Sequence, residues 1–466
     1  MLHYCLIVTH HSDLKIVTRS NSDSYMQQHL TEIQSIVEDV LKLARQKGAT
    51  QAEASMTKVT GIAVSSRLKE VETVEFTNDG GLGITVYQGQ RKGSASSADL
   101  SLAALQLTVE KAMEIAKHTG EDPCSGLAEK ELMAFSPPDL GLYYPQTLDT
   151  ELAIQEIIRA ETSALESDPR IVNSDGASYN ANLGARVYGN SHGLNVGYLS
   201  SRYSLSCMVI GEQDGDMQRD YSYTVSRDKA LLASPEQVGR EASQFTLDRL
   251  GARKLKTCKV PVIFHRDVAA GLLGHFVSAI SGGSLYRNSS FLLDHLGKQV
   301  LPDWFEINEA PHLKGALASS PFDSEGVITR DINIVSGGIL QHYLLTSYSA
   351  RKLKMQTNGH AGGIHNWLVK STGESDQQLL TKLGTGLLVT ELMGQGVNIV
   401  TGDYSRGAAG FWVENGQIQY PVHEITIAGN LKHMLKDIVA VGAQTEKRSS
   451  IQTGSILVGE MQLAGD

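Results

Sequence analysis

The sequence is short of the features that mark several common protein classes. Its four cysteines, Cys5, Cys124, Cys207 and Cys258, lie far apart and form no C-x-x-C. That spacing argues against a disulfide framework and predicts reduced thiols in a cytosol. Lys and Arg number 41 against 51 Asp and Glu, for a net charge of −10, and they form no basic stripe. A nucleic-acid surface is therefore not expected. No apolar run approaches the roughly 18 residues of a membrane span. The short patch Leu6, Ile7, Val8 lacks a basic flank and a small-residue cleavage site, so it does not read as a signal peptide. H-E-x-x-H is also absent. That motif holds zinc because ligands at i and i+4 share one helical face.

What is present is a chain of 466 residues, 41% hydrophobic and 20% charged, long enough for more than one core. Residues 1–25 read as an extension, disordered or preceding a natural start at Met26. From Met26 the pattern is an amphipathic helix, with Thr31 and Gln34 forming a capping box. Strands over 52–65, 71–76, 83–87 and 91–97 follow, with Asn78-Asp79-Gly80-Gly81 as a turn. A second helix capped by Asp99 closes an N-terminal α+β domain at 26–121. Four prolines over 122–146 predict a linker. Residues 147–256 give a second α+β segment. Residues 257–466 are rich in Gly and short β-like runs, predicting a β-rich, barrel-like domain with few helices. The predicted class is α+β, with N-terminal α/β-sheet segments ahead of that domain. Asn415-Gly416 is its strongest hairpin signal.

The stretch 260–297 organises the last domain. A buried strand feeds a helix near 267–280 with His275 at its middle. His360 and His365 flank a Gly-rich loop whose backbone N–H groups are able to hold an oxyanion or a peptide carbonyl. The alternative is a tight turn whose histidines satisfy local groups. In the loop 401–407, Asp403 and Arg406 are expected to pair and order the backbone. Gly189-Asn190-Ser191-His192-Gly193 matches G-x-S-x-G, but a nucleophile elbow needs a helix after it. The residues that follow, from Leu194 to Tyr198, read as a strand. His423-Glu424 sits at a strand end, where its His reads as solvated or hydrogen-bonded.

The segments AISGGSLYRNSSFLLDHLGKQVLPDW, SPFDSEGV, LLTSYSARKL, GHAGGIHNW, VTELMGQGVN, TGDYSRGAAGFWVENG and YPVHEITIAGNL resemble the PmbA (TldE) branch of the TldD/PmbA family, over the chain from Met26 onward. The resemblance implies a cytoplasmic metallopeptidase system in which a TldD-like subunit pairs with this one. Such a system matures ribosomally made peptide antibiotics and degrades small unfolded proteins. The alternative it allows is a peptide-binding adaptor that modulates gyrase-directed toxins. A homodimer of the isolated chain is also open.

The TldD branch carries H-E-x-x-x-H and a later Cys as ligands. Laid on this chain, the first His falls on Ala270, the Glu on Gly271, the second His on His275 and the Cys on Thr453. The resemblance therefore implies no cofactor in this chain, with zinc in the TldD-like partner. A lone imidazole does not hold zinc usefully, and without the Glu a bound water lacks its base. What is left for this chain is to shape a chamber and bind peptide or unfolded-protein substrates. Its candidate residues are His275, His360, His365, Asp403 and Arg406, with no catalytic residue among them.

Overall fold

The computed structural model of the chain describes residues 19–465. The reading of 1–18 lies outside the described residues. The first helix, α1 (Arg19–Gln46), begins ahead of Met26. It is followed by β1 (Gln51–Arg67), β2 (Glu70–Gln88), β3 (Arg91–Ser97) and α2 (Leu102–His118). The same α-β-β-β-α order then recurs as α3 (Thr150–Leu165), β4 (Ile171–Asn190), β5 (Asn195–Gln213), β6 (Asp216–Ser226) and α4 (Pro235–Asp248). The strands form one six-stranded sheet in the order β3-β2-β1-β4-β5-β6. Its centre is the antiparallel β1–β4 pair, so the two α+β segments share one sheet. Strict alternation buries Ala52, Ala54, Met56, Ile62 and Val64 on β1, and Tyr179, Ala181 and Leu183 on β4. These pack in a single core with the apolar faces of the four helices.

Two local expectations are corrected here. Thr31 lies within α1 and its hydroxyl donates to the Gln27 carbonyl at 3.3 Å, so it caps nothing. Asn78 to Gly81 do not turn. They stay in β2 opposite Thr57 to Thr60 of β1. The chain reverses instead at Leu68 and Lys69, whose φ values are 52° and 68°. Neither is a glycine, and such a conformation costs about 1–3 kcal/mol. Glu161 of α3, fully buried, offsets this. Its carboxylate accepts from Leu68 N at 2.6 Å, Lys69 N at 2.9 Å and Ser66 Oγ at 2.9 Å. A distant helix, invisible to local sequence reading, sets this turn.

The stretch 122–146 has little regular structure, but it is tied to the last domain. Arg351 donates to the carbonyls of Cys124 and Gly126 at 3.2 and 3.1 Å. Met133 and Ala134 pack with Phe322 and Val327.

The C-terminal domain opens with β7 (Cys258–Phe264), α5 (Arg266–Ile280) and α6 (Gly282–Tyr286). A small sheet follows from β8 (Ile307–Glu309), β9 (Ile332–Ser336) and β10 (Ile339–Leu340). Then come α7 (Ser347–Lys352), β11 (Trp367–Val369), α8 (Asp376–Leu383), β12 (Gly386–Met393), β13 (Asp403–Glu414), β14 (Gln417–Asn430), α9 (Leu431–Lys436), β15 (Ile438–Val441), β16 (Ile451–Gln452) and β17 (Ile456–Ala464). The order β14-β13-β12-β7-β17 closes into a five-stranded barrel because β14 also pairs with β17. Asn415 and Gly416, at φ 51° and 72°, turn β13 into β14, as the Asn-Gly pair predicts. The fold is thus α+β with a C-terminal barrel.

Candidate functional site

Strand β7 delivers the chain to α5 through His265. This residue caps the helix, its ring nitrogen facing the Asp267 N–H. Along α5, Ala269, Leu272, Leu273, Phe276 and Ile280 are buried in the domain core. Asp267, Gly271 and Ser278 lie on the exposed side, and Gly274 and His275 are half-buried at its margin. A Cβ added at Gly271 or at Gly274 would meet nothing within 4 Å, so this face of the helix is open.

Of the positions that the resemblance aligns with the TldD branch's metal motif, one carries an imidazole. Ala270 packs against the core and Gly271 has no side chain. Thr453 follows β16, which packs on α5. It is fully buried, and its hydroxyl donates to the Gly454 carbonyl at 3.0 Å. Only the His275 imidazole remains. No three His, Cys, Asp or Glu side chains among the described residues are placed to hold a metal ion. A methyl group, a bare backbone and a buried hydroxyl do not fit zinc, which takes three or four N, S or O donors.

His275 faces β13 of the barrel. Its ring meets that of Tyr404 edge-on, with centroids 5.8 Å apart. Burial lowers its pKa, and the nearby Arg406 guanidinium lowers it further. The imidazole is thereby held neutral at pH 7. Tyr404 is 1% exposed, and burial pushes its phenol up to about 12 against the opposing pull of Arg406. His275 Nε2, Tyr404 Oη and Arg406 Nε are all buried without a hydrogen-bond partner among the described residues.

Asp403 does not pair with Arg406, which corrects the expected loop-ordering contact. The segment is strand rather than loop, and residues three apart on a strand point to opposite faces. Asp403 is exposed and accepts from Thr401 Oγ1 at 2.6 Å and Asn430 Nδ2 at 3.1 Å. Its carboxyl is held below the usual range chiefly by the Thr401 hydroxyl. Arg406 turns inward and, among the described residues, donates only to the Leu392 carbonyl, at 3.4 Å.

His360 and His365 meet on a residue that the sequence reading missed. The Glu309 carboxylate accepts from His360 Nε2 at 3.1 Å, His365 Nδ1 at 2.8 Å and Trp367 Nε1 at 2.6 Å. The two imidazole centroids lie 6.1 Å apart, and His360 Nδ1 is engaged by Asn358 Oδ1 at 2.8 Å. Burial would raise Glu309, yet the hydrogen bonds from both histidines hold it down to about 2. No sequence signal marks Glu309, because its partners come from a loop and strand far along the chain.

Ser191 sits in the β4–β5 hairpin turn, with no helix after it. Its hydroxyl accepts from the Ala52 N–H at 3.1 Å, so no nucleophile elbow forms.

Where the N-terminal sheet meets the barrel, β6 and α4 face the start of α5 across a cleft of about 580 Å³. Tyr221, Tyr223, Phe245, His265, Asp267 and Arg448 are among its walls. Tyr221 and Tyr223 stack with centroids 6.1 Å apart, and the Arg448 guanidinium lies 4.2 Å over the Tyr223 ring. Arg448 also donates to Asp267 at 3.1 Å. The volume lies in the range of small-molecule and short-peptide pockets. On α5 the cleft is walled by Arg266 and Asp267, at the start of the helix. The arrangement offers aromatic and charged surface for binding, and on its wall the Ser222 hydroxyl donates to the Glu241 carboxylate at 2.8 Å.

Models of known families match the chain in three consecutive parts. PmbA/TldA metallopeptidase domain 1 matches residues 52–116, the central domain 143–250 and the C-terminal domain 257–465. The chain is 58% identical to the metalloprotease PmbA homolog of Haemophilus influenzae, covering 96% of this chain and 99% of that protein. It is 57% identical to metalloprotease PmbA of Escherichia coli O157:H7, covering 93% and 96%. The crystal structure of TldE from Thermococcus kodakarensis superposes with a TM-score of 0.79 at 20% identity, over 92% of this chain and all of that one. That last likeness speaks for the fold.

Proposed function

The chain belongs to the PmbA/TldD metallopeptidase family, and on that premise we propose that it is the PmbA/TldE-like subunit of a two-subunit, zinc-dependent peptidase of the cytoplasm. In this reading a TldD-like partner supplies the zinc, the water and the base. This chain contributes chamber wall and substrate contacts. The substrates are peptide-antibiotic precursors and small unfolded proteins. The observation that carries the reading is the state of α5. The helix and the strand behind it are kept, while Ala270, Gly271 and Thr453 stand where donors would be. The cleft between the sheet and the barrel gives an extended chain a path to the start of α5. Among the described residues no helix is long and apolar enough to cross a membrane. The test is to purify this chain and its TldD-like partner separately and together, with metal analysis and cleavage of an unfolded substrate. Zinc and cleavage by this chain alone would defeat the proposal.

A second reading, a non-catalytic peptide-binding adaptor acting on gyrase-directed toxins, draws on one observation. β3 pairs with β2 only from Leu82 onward, which leaves the outer edge of Glu70 to Gly81 open. Val71, Val74 and Phe76 are exposed along it. An open edge is able to accept an added strand. This reading gains if the chain's effect on such toxins persists after deletion of the TldD-like partner. It loses if that effect vanishes.

A further inference from the structure

The cleft between β6, α4 and the start of α5 is unevenly charged. Five carboxylates line it against three guanidiniums, and every guanidinium is already engaged. Arg448 pairs with Glu446 and Asp267. Arg249 pairs with Asp220 and Glu391, and Arg266 with Asp376. The two lining carboxylates left over are Glu241 and Asp248, which make no ion pair among the described residues. Their hydrogen bonds come from neutral groups. Glu241 accepts from Ser222 Oγ and Gln237 Nε2, both at 2.8 Å, and Asp248 from Gln244 Nε2 at 2.6 Å. Their placement follows from α4. Glu241, Phe245 and Asp248 are spaced four and three residues apart, so they share one helical face, with Phe245 a turn from each carboxylate. All three line the cleft. Phe245 is 42% exposed, and Tyr221 of β6 is 50% exposed, so the walls have free apolar surface for a guest. The chain itself shows what such a wall accepts. The Arg448 guanidinium lies over the Tyr223 ring while its charge rests on Glu446 and Asp267. A ring beside a carboxylate suits a side chain with an apolar stem and a cationic head.

We propose that this cleft is a specificity pocket for a basic residue, Lys or Arg, of a bound peptide. The stem of that residue lies on Phe245 and Tyr221, and its cation forms a charge-assisted hydrogen bond with Glu241 or Asp248. The two carboxylates stand seven residues apart, about 10 Å along the helix axis. They therefore offer two positions for a cation, one on either side of the Phe245 ring. This deepens the reading of the chain as a substrate-binding subunit and rests on that reading. It adds that the subunit selects its peptides by charge.

The test uses the full chain and an unstructured fluorescent peptide in two forms, one Lys at its centre or Gln in its place, followed by anisotropy. The Lys form is expected to bind about tenfold more tightly than the Gln form. Glu241→Gln combined with Asp248→Asn should abolish that preference, and both changes keep a side-chain acceptor for the existing neutral donors. Phe245→Ala should weaken both forms several-fold. The control is Glu70→Gln combined with Glu72→Gln, which removes the same charge from exposed positions of β2, away from β6 in the sheet. It should leave the preference as it was. Equal binding of the two forms overturns the proposal. So does a preference that survives in the Glu241→Gln, Asp248→Asn variant with its melting temperature unchanged. A preference lowered as much by the control pair would be attraction to the net charge of −10, and overturns it too. Binding of neither form strikes the substrate-binding reading itself, whereas equal binding strikes only the charge selection, so the two fail separately.

Discussion

The C-terminal domain holds two polar clusters that differ in one respect. Around Glu309 every strong donor has found its acceptor: two imidazoles and an indole converge on one buried carboxylate. Near His275, three buried polar atoms, His275 Nε2, Tyr404 Oη and Arg406 Nε, have no hydrogen-bond partner among the described residues. A buried network that is fully satisfied rigidifies and specifies a fold. A buried set that is unsatisfied carries a cost instead. By this contrast His360 and His365 hold the Gly-rich loop, while His275, Tyr404 and Arg406 are the groups with capacity left over.

The contrast breaks most visibly at Glu309. Glu309→Ala strands both imidazoles and the Trp367 indole, and should cost about 3–5 kcal/mol in a urea unfolding experiment. A loss below about 1 kcal/mol would mean that the network is not the lock described. Acid should reproduce part of that effect. Glu309 has its pKa depressed from an ordinary 4.5 to about 2, so its contribution is present above the unfolded value and disappears as pH falls towards the folded one. Stability should drop by on the order of 3 kcal/mol between about pH 5 and about pH 2. This part of the drop should be absent in Glu309→Gln. Ser191→Ala leaves the Ala52 N–H without its side-chain acceptor and should cost about 1 kcal/mol. Cleavage by the reconstituted pair should be unchanged, whereas a loss of cleavage would return Ser191 to the chemistry. The smallest expected effect is that of Tyr404→Phe, within about 0.5 kcal/mol of the parent protein. A clear destabilisation there would show that the hydroxyl already has a partner, and would erase the contrast between the two clusters.

The sequence was most legible where pattern and partner are local. The β7–α5 unit, the Asn415-Gly416 hairpin and the β-rich last domain follow from periodicity and turn chemistry, and the barrel closure extends them. It was least legible where partners are distant. The Leu68-Lys69 turn depends on Glu161, ninety-odd positions away (|i−j| 93 and 92), while the attractive Asn-Asp-Gly-Gly stretch stays extended in the sheet. Glu309 carries no motif and gains its role from residues 51 to 58 positions later. Asp403 and Arg406 were read as a loop pair because the segment's glycines suggested a turn. Read as a strand, the same letters place Tyr404 beside Arg406 and send Asp403 outward. Tyr404 could have been found by that alternation alone.

The central claim is that this chain is the half of the peptidase without metal. Elemental analysis of zinc in the purified chain, alone and after assembly with its TldD-like partner, tests it most directly. The account predicts no stoichiometric zinc in the chain alone, and zinc in the assembly that is unaffected by His275→Ala in this subunit. One zinc per isolated chain, lost on His275→Ala, would contradict it.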